Sequence, residues 1–136
     1  MDCCERPPSG ALLRACGEFN RGDWFACHET LEDLWLGTEG EIRDFYQGLL
    51  QIAVALHHWR NGNFTGAMLL LTSGPDKLRR VRSACQRIDV ARMVVAADRF
   101  RERLAELGAE RMAELEPELL PRMELVKVET DCRADD

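Results

Sequence analysis

Two consecutive helices are predicted by the run WFACHETLEDLWLGTEGEIRDFYQGLLQIAVALHHWRN, residues 24–61. Apolar residues recur in this run every three or four positions, which is the period of an amphipathic helix, and no part of it alternates as a strand does. Gly37 interrupts the pattern and Gly62 follows it, at positions where glycine commonly ends a helix. The run therefore predicts a helical hairpin, with helices over 24–36 and 41–61.

The same signals predict further helices on both sides of this hairpin. A first helix ends at Gly22, a fourth covers 64–72, and Pro75 begins a fifth, because proline is tolerated in a first turn. A sixth covers 90–107, and a weaker segment follows at 110–124. Residues suited to N-cap positions precede four of these helices: Ser9, Asp23, Asn63 and Asp89.

Composition agrees with a single helical domain. The chain has 136 residues, of which 46% are apolar and 31% charged. We predict an all-α fold, a compact bundle of five to six helices built from helical hairpins. The domain is expected over 9–125, with disordered ends at 1–8 and 126–136. No apolar run approaches the roughly 18 residues that cross a bilayer, so we expect a cytoplasmic protein without membrane contact.

Two further features of the composition, the cysteines and the charge distribution, bear on function. The six cysteines form no C-x-x-C pair and no regular framework, which favours reduced thiols without a special role. The net charge is −6, yet residues 77–103 carry nine basic and three acidic side chains. Because arginines on an exposed helix face need no partner, we interpret this basic region as solvated and do not expect a nucleic-acid partner.

Two turns of the chain resemble each other. FNRGDW at 19–24 and WRNGNF at 59–64 share an aromatic residue at both ends, a helix-ending glycine and a capping Asp or Asn. The pattern is similar to the turn of tetratricopeptide repeats. It favours two similar helical hairpins and leaves open a non-enzymatic scaffold that binds a protein partner.

A polar seam is predicted between the second and third helices. Phe25, His28, Glu32 and Trp35 fall on one face of the second helix, and the aromatic residues at both ends indicate that this face is buried. The third helix carries a polar stripe in which only one of His57 and His58 can take part. The stripe comprises Arg43, Gln47, Gln51 and His58. In an antiparallel hairpin Glu32 lies level with Arg43, which predicts an ion pair.

The seam is open to three interpretations. His28-Glu29-Thr30-Leu31-Glu32 differs from the H-E-x-x-H motif of zinc proteases by having Glu32 in place of the second histidine. A catalytic metal needs three protein ligands, and only glutamines lie opposite His28 and Glu32. Three interpretations therefore remain: a metal site, a metal-free pocket for a small ligand or a reaction, and a structural hydrogen-bonded network.

A family resemblance is carried by several ordered motifs. They are F-N-x-G-x-x-F-x-x-H-E-x-L-E-x-x-W at 19–35, R-x-F-x-Q-G-L-L-Q-x-A-V-A-L at 43–56, H-x-x-x-G-N-x-x-G-A at 58–67, and I-D-V at 88–90. Together they resemble the helical family called domain of unknown function 309. The resemblance implies an all-α bundle and a label of predicted metal-dependent hydrolase. His57 stands where many relatives have tyrosine. The family's polar motif residues fall here on His28, Glu29, Glu32, Trp35, Arg43, Gln47, Gln51, His58, Asn61 and Asn63.

The hypothesis of a metal-dependent hydrolase gives most of these residues an expected role. His28 and Glu32 bind a divalent metal ion, and Glu29 activates water. His58 and Arg43 complete the catalytic group. Gln47, Gln51 and Trp35 contact the substrate. Three kinds of partner stay open: a small molecule, another protein, or a second copy of the chain.

Overall fold

Five α-helices form the body of the molecule. The structure is a computed structural model that describes residues 2–127. Its α-helices are α1 (Gly10–Asn20), α2 (Trp24–Trp35), α3 (Gly40–Arg60), α4 (Phe64–Leu78) and α5 (Val90–Leu107). Shorter 3₁₀ helices cover Cys3–Glu5, Ala109–Glu114 and Pro117–Leu119, and strands β1 (Ala84–Cys85) and β2 (Ile88–Asp89) form one small antiparallel hairpin. The predicted all-α fold is confirmed.

Each α-helix packs on its neighbours in the chain, and the most extensive contact is between α3 and α4. The α2–α3 pair is antiparallel, since Trp35 at the end of α2 contacts Arg43, and Trp24 at its start contacts Arg60. Fully buried side chains from successive helices fill the core between them, among them Phe19, Phe45, Leu49, Ile52 and Phe100. No helix within residues 2–127 has the length and apolar character that crossing a membrane requires.

Three of the four predicted N-caps form the expected hydrogen bond. Ser9 accepts from the backbone N–H of Leu12, Asn63 from that of Gly66, and Asp89 from that of Arg92. These bonds satisfy N–H groups that the first turn of a helix leaves free. Asp23 occupies the N-cap of α2 but forms no side-chain cap hydrogen bond.

The prediction of a helix break near Pro75 is wrong, because α4 continues through it to Leu78. Pro75 removes one backbone donor, which normally disrupts a helix. Here α3 and α4 pack without a side chain between their backbones. A Cβ atom added to Gly48 would lie 3.0 Å from the carbonyl oxygen of Gly74, and one added to Gly74 would lie 3.1 Å from that of Gly48. We infer that this close packing against α3 keeps α4 helical through Pro75.

The β1–β2 hairpin was not predicted. Its turn residues Gln86 and Arg87 both have positive φ, 47° and 69°, as a type I′ turn requires. Asn and Gly normally occupy such positions, so the sequence lacked the usual signal. The buried Gln86 side chain compensates, since it accepts a hydrogen bond from the Tyr46 hydroxyl at 3.3 Å and donates one to the Cys3 carbonyl at 3.2 Å.

Both ends of the described chain meet this hairpin. The expectation of a disordered segment over 1–8 differs from the structure, in which Cys3–Glu5 is helical and Cys4 is buried. Cys4 forms a disulfide with Cys85, so the prediction of reduced thiols is wrong for this pair. At the other end Val126 donates its N–H to the Arg87 carbonyl at 2.7 Å. Residues 128–136 of the predicted C-terminal disordered end lie outside the described residues.

Among the residues that the structure describes, four of the nine basic side chains in the region 77–103 form ion pairs with acidic side chains. Arg82 binds Asp2 at 3.1 Å and Glu41 at 2.7 Å, and Arg103 binds Glu116 at 2.9 Å. Arg79 and Arg80 also form ion pairs with Asp residues. Part of the positive charge of this region is thus compensated within the molecule.

Candidate functional site

The inward side of α2 is not the side that the sequence predicted. Trp24, Cys27 and Leu31 are buried, and Phe25 is 53% exposed. The two stripes differ by one position, which on a helix is a rotation of about 100°. Both begin with an aromatic residue, so the apolar pattern alone did not distinguish them. The predicted buried stripe is therefore a partly exposed surface.

His28 and Glu32 are adjacent on this surface. His28 Nε2 lies 3.8 Å from Glu32 Oε1, with the two side chains 25% and 51% exposed. Glu29 is exposed. Cys27 beside His28 is fully buried, and burial raises the pKa of its thiol well above the usual range, which makes it a poor nucleophile.

These residues do not by themselves fit a metal ion. A catalytic metal site has three protein ligands that converge on one point. Within residues 2–127, the one group of three such side chains whose ligand atoms all lie within 4.8 Å of one another is Asp2, Cys4 and Glu41. Cys4 is disulfide-bonded, and both carboxylates bind Arg82. His28 and Glu32 offer two ligands, one fewer than such a site needs.

The predicted ion pair of Glu32 with Arg43 is wrong. Arg43 stacks its guanidinium on the Trp35 ring, 4.2 Å from the ring centroid, and donates a hydrogen bond to the Thr38 carbonyl at 3.1 Å. Stacking on an aromatic ring stabilises an arginine without a carboxylate. The carboxylate of Glu32 is left for His28.

His57, rather than His58, lies beside α2. The ring centroid of Phe25 is 5.6 Å from that of His57 and 5.5 Å from that of His28. His58 Nδ1 lies 3.3 Å from the side-chain amide of Asn63, at the start of α4. The prediction that placed His58 in the seam is therefore wrong, and His57 takes that position, with its Nε2 3.1 Å from the amide nitrogen of Asn61.

The polar stripe of α3 turns away from α2 along its length. Gln51 accepts a hydrogen bond from the Ser73 hydroxyl of α4 at 2.8 Å. Gln47, four positions earlier, is half-buried. The predicted site residues thus include a group on α2 with Arg43 beside it, and a second group, Gln51 and His58, that contacts α4 or its N-cap.

We define the α2 face as the exposed surface formed by Phe25, His28, Glu29, Glu32 and Leu36. Phe25 and Leu36 are both strongly exposed, and the eleven positions between them correspond to about 16 Å along the helix. Among its twelve residues α2 carries three acidic side chains and no lysine or arginine. The α2 face is consequently acidic, with an apolar residue near each end.

Other residues that the sequence reasoning missed line a cleft at the α1–α2 turn. The turn, the end of α3 and the segment 117–122 enclose about 610 Å³. Trp24, Trp59 and Arg60 come from the two similar turns FNRGDW and WRNGNF, which was the available signal. Nothing in the sequence pointed to Arg122.

Because consecutive helices pack on one another as hairpins, the protein belongs to the class of helical bundles. Residues 12–70, which include most of α1 and the whole of α2 and α3, match the family model described as Domain of unknown function (DUF309). The family resemblance predicted from the motifs is confirmed over this segment.

Two curated relatives are similar to this chain. An "Uncharacterized protein" of Aquifex aeolicus (strain VF5) is 35% identical over 52% of this chain and 23% of its own length. The "Uncharacterized protein YpuF" of Bacillus subtilis (strain 168) is 40% identical over 38% of this chain and 30% of its own length. The match thus spans less than a third of either relative.

Proposed function

We propose that this chain is a helical interaction module that binds another protein through the α2 face. The observation that carries the proposal is the exposure of Phe25, 53%, between the rings of His28 and His57. An aromatic side chain held by its neighbours and open to solvent loses little conformational freedom when a partner covers it. Such residues commonly dominate the binding energy of protein interfaces.

The charge of the α2 face indicates the chemistry of the partner. Glu29 and Glu32 lie between the apolar residues Phe25 and Leu36, and α2 has no lysine or arginine. A second copy of the same face would bring like charges together, which disfavours a symmetric pairing. We therefore propose a partner segment that combines basic side chains with apolar residues.

Substitution of Phe25 tests this proposal. After a partner has been captured and purified, its affinity is measured for the wild-type chain, for Phe25→Ala and for the control Leu69→Ala. Leu69 is another exposed apolar residue, on α4. Loss of an exposed aromatic anchor is expected to weaken binding about tenfold or more, whereas the control is expected to bind as wild type does.

Melting temperatures measured beside the affinities distinguish a loss of binding from a loss of folding. Both variants should melt close to the wild-type temperature, because half-exposed side chains contribute little to the core. Wild-type affinity of Phe25→Ala, at an unchanged melting temperature, would contradict the proposal.

A metal-dependent hydrolase is the second candidate function. It is supported by the approach of His28 Nε2 to Glu32 Oε1, 3.8 Å, on a surface that water and substrates reach. Because the described residues supply only two ligands, a third would have to come from a partner or a substrate. Metal analysis of untagged protein tests the candidate. A divalent ion bound by the wild-type chain and lost in His28→Ala would support it, and absence of bound metal in the wild type would argue against it.

A further inference from the structure

We propose that the cleft at the α1–α2 turn, here called the turn cleft, binds a small organic anion that carries a phosphate or carboxylate group beside an apolar ring. The turn cleft lies on a different side of α2 from Phe25, because its wall includes the neighbouring residue Trp24. The proposal is therefore independent of the interaction through the α2 face.

The size and construction of the turn cleft suit a small ligand. Its volume of about 610 Å³ lies within the range of small-molecule sites, roughly 300–1,000 Å³. Asn20 joins two of its walls, since its side chain donates to the Met123 carbonyl at 3.0 Å and accepts from the Met123 N–H at 2.8 Å. Trp59 donates to the Met112 carbonyl at 3.0 Å. These bonds form the cleft before any ligand arrives.

The lining of the turn cleft is positive in a chain of negative net charge. Three arginines and one glutamate line it, whereas the whole chain carries −6. Arg21 and Arg122 approach carboxylates only at 3.9 and 3.7 Å. An anion is the ligand that this charge selects.

Arg60 is the arginine best placed to bind an anion. Its guanidinium lies over the Trp24 ring, 4.4 Å from the centroid, and donates to the Gly22 carbonyl at 2.7 Å. It takes part in none of the ion pairs found within residues 2–127. The stacked position fixes the guanidinium, and its remaining N–H groups suit the oxygens of a phosphate or carboxylate.

A buried donor without an acceptor provides a second observation. Trp24 is 4% exposed, and its indole N–H finds no hydrogen-bond partner within the described part of the chain. Buried donors of this kind are rare, because the missing bond costs free energy. This N–H has no surface open to solvent, so an oxygen of an anion bound in the cleft accepts from it only if the Trp24 ring or the groups that cover it move.

The apolar part of the ligand follows from the other walls. The rings of Trp24 and Trp59 meet edge to face, with centroids 6.3 Å apart. Pro117 and Pro121 lie on the opposite wall. A ligand with an aromatic ring would cover more of this surface than a bare inorganic ion does.

Titration with simple probes tests the proposal. Phenyl phosphate, benzoate, inorganic phosphate and benzyl alcohol are titrated into the full chain, and binding is followed by tryptophan fluorescence and calorimetry. Two of the three tryptophans line the turn cleft. Saturable binding of phenyl phosphate or benzoate is expected, about tenfold or more tighter than binding of inorganic phosphate or of the neutral alcohol. Whichever of phenyl phosphate and benzoate binds more tightly shows whether the cleft prefers a phosphate or a carboxylate group.

Matched variants place the binding at Arg60. Arg60→Gln is expected to weaken the tighter probe about tenfold, because it removes a charge-assisted hydrogen bond. The control Arg92→Gln removes an exposed arginine of α5 outside the cleft and should leave binding unchanged. Arg122→Gln provides a second cleft variant in case Arg60→Gln melts early. Absence of saturable binding, equal binding of benzyl alcohol, or equal weakening in Arg92→Gln would overturn the proposal.

Discussion

Replacement of Gly48 by alanine should destabilise the fold, although alanine is the better helix former. Gly48 lies in the middle of α3, where α4 crosses it. A methyl group at this position would lie 2.6 Å from both Cγ and Cδ2 of Leu78 and 3.0 Å from the Gly74 carbonyl oxygen. Carbon atoms in favourable contact are about 3.5–4.0 Å apart, so the methyl group overlaps its neighbours by about 1 Å.

Two opposing contributions set the magnitude. Overpacking of a well-filled interior costs about 1–3 kcal/mol, and here a backbone oxygen limits relaxation. Alanine gains about 0.8–1.0 kcal/mol over glycine in a helix interior. Because the backbone oxygen cannot move aside, we take the upper part of the overpacking range, about 2–3 kcal/mol, and expect a net loss of about 1–2 kcal/mol. For a domain of this size this corresponds to a melting temperature lower by about 3–10 °C.

Gly17→Ala is the matched control. A methyl group at Gly17 in α1 would meet only Nη1 of Arg21, at 3.4 Å, which is the end of a flexible side chain. This variant should be more stable than wild type by about 0.5–1 kcal/mol. Urea denaturation followed by circular dichroism measures both changes. A Gly48→Ala variant as stable as wild type, or one stabilised as Gly17→Ala is, would refute the close packing of α3 and α4.

Three further perturbations test the region around the β1–β2 hairpin. Cys85→Ser removes the disulfide to Cys4, which closes a loop of 81 residues. Loop entropy then predicts a loss of up to about 4.5 kcal/mol, and thermal melts should show the same loss in wild type on addition of reductant. The hydrogen bonds from Arg82 hold the pKa of Glu41 below its ordinary value. The stability from this pair is therefore present above about pH 4.3 and is lost as the pH falls through the lowered pKa. In Arg82→Gln, the free energy of unfolding should fall less steeply on the acid side of its pH dependence. A pH dependence identical to that of the wild type would contradict the pairing. Gln86→Ala strands the buried Tyr46 hydroxyl and should cost about 1–3 kcal/mol in urea denaturation, whereas a neutral effect would show that this hydroxyl needs no partner.

The helices were predictable because local signals determine them. The N-cap at Asn63 and the helix-ending Gly62 before it act within a few residues. Pro75 shows the limit of such signals, since its effect depends on how closely α3 packs against α4. The sequence held both glycines of that contact but did not show that they face each other.

The candidate site was less predictable because it depends on helix rotation. Trp24 and Phe25 are neighbours, and either could begin the buried stripe of α2. Once Trp24 is inside, Phe25 and Glu32 face outward. Arg43 then stacks on Trp35 and forms no pair with Glu32. The rotation of α2 by about 100° relative to the predicted orientation thus explains why Glu32 and Arg43 have partners other than the predicted ones.

Contacts between distant parts of the chain were beyond local reasoning. Cys4 and Cys85 are 81 positions apart, and their spacing matches no known framework. Arg122 reaches the α1–α2 turn, where it donates to the Asn20 carbonyl at 3.5 Å. Neither contact can be predicted from the periodicity or the composition of the sequence.

The direct backbone contact of α3 with α4 also has a consequence for motion. Helices separated by long side chains slide past one another as rotamers change, but Gly48 and Gly74 leave no side chain between them. The two helices should therefore move as one rigid unit, and their central amides should exchange hydrogen with solvent more slowly than those of the other helices. Displacements that accompany binding at the α2 face or the turn cleft would then occur in α1, α2 and the 117–122 segment, which lie outside this unit.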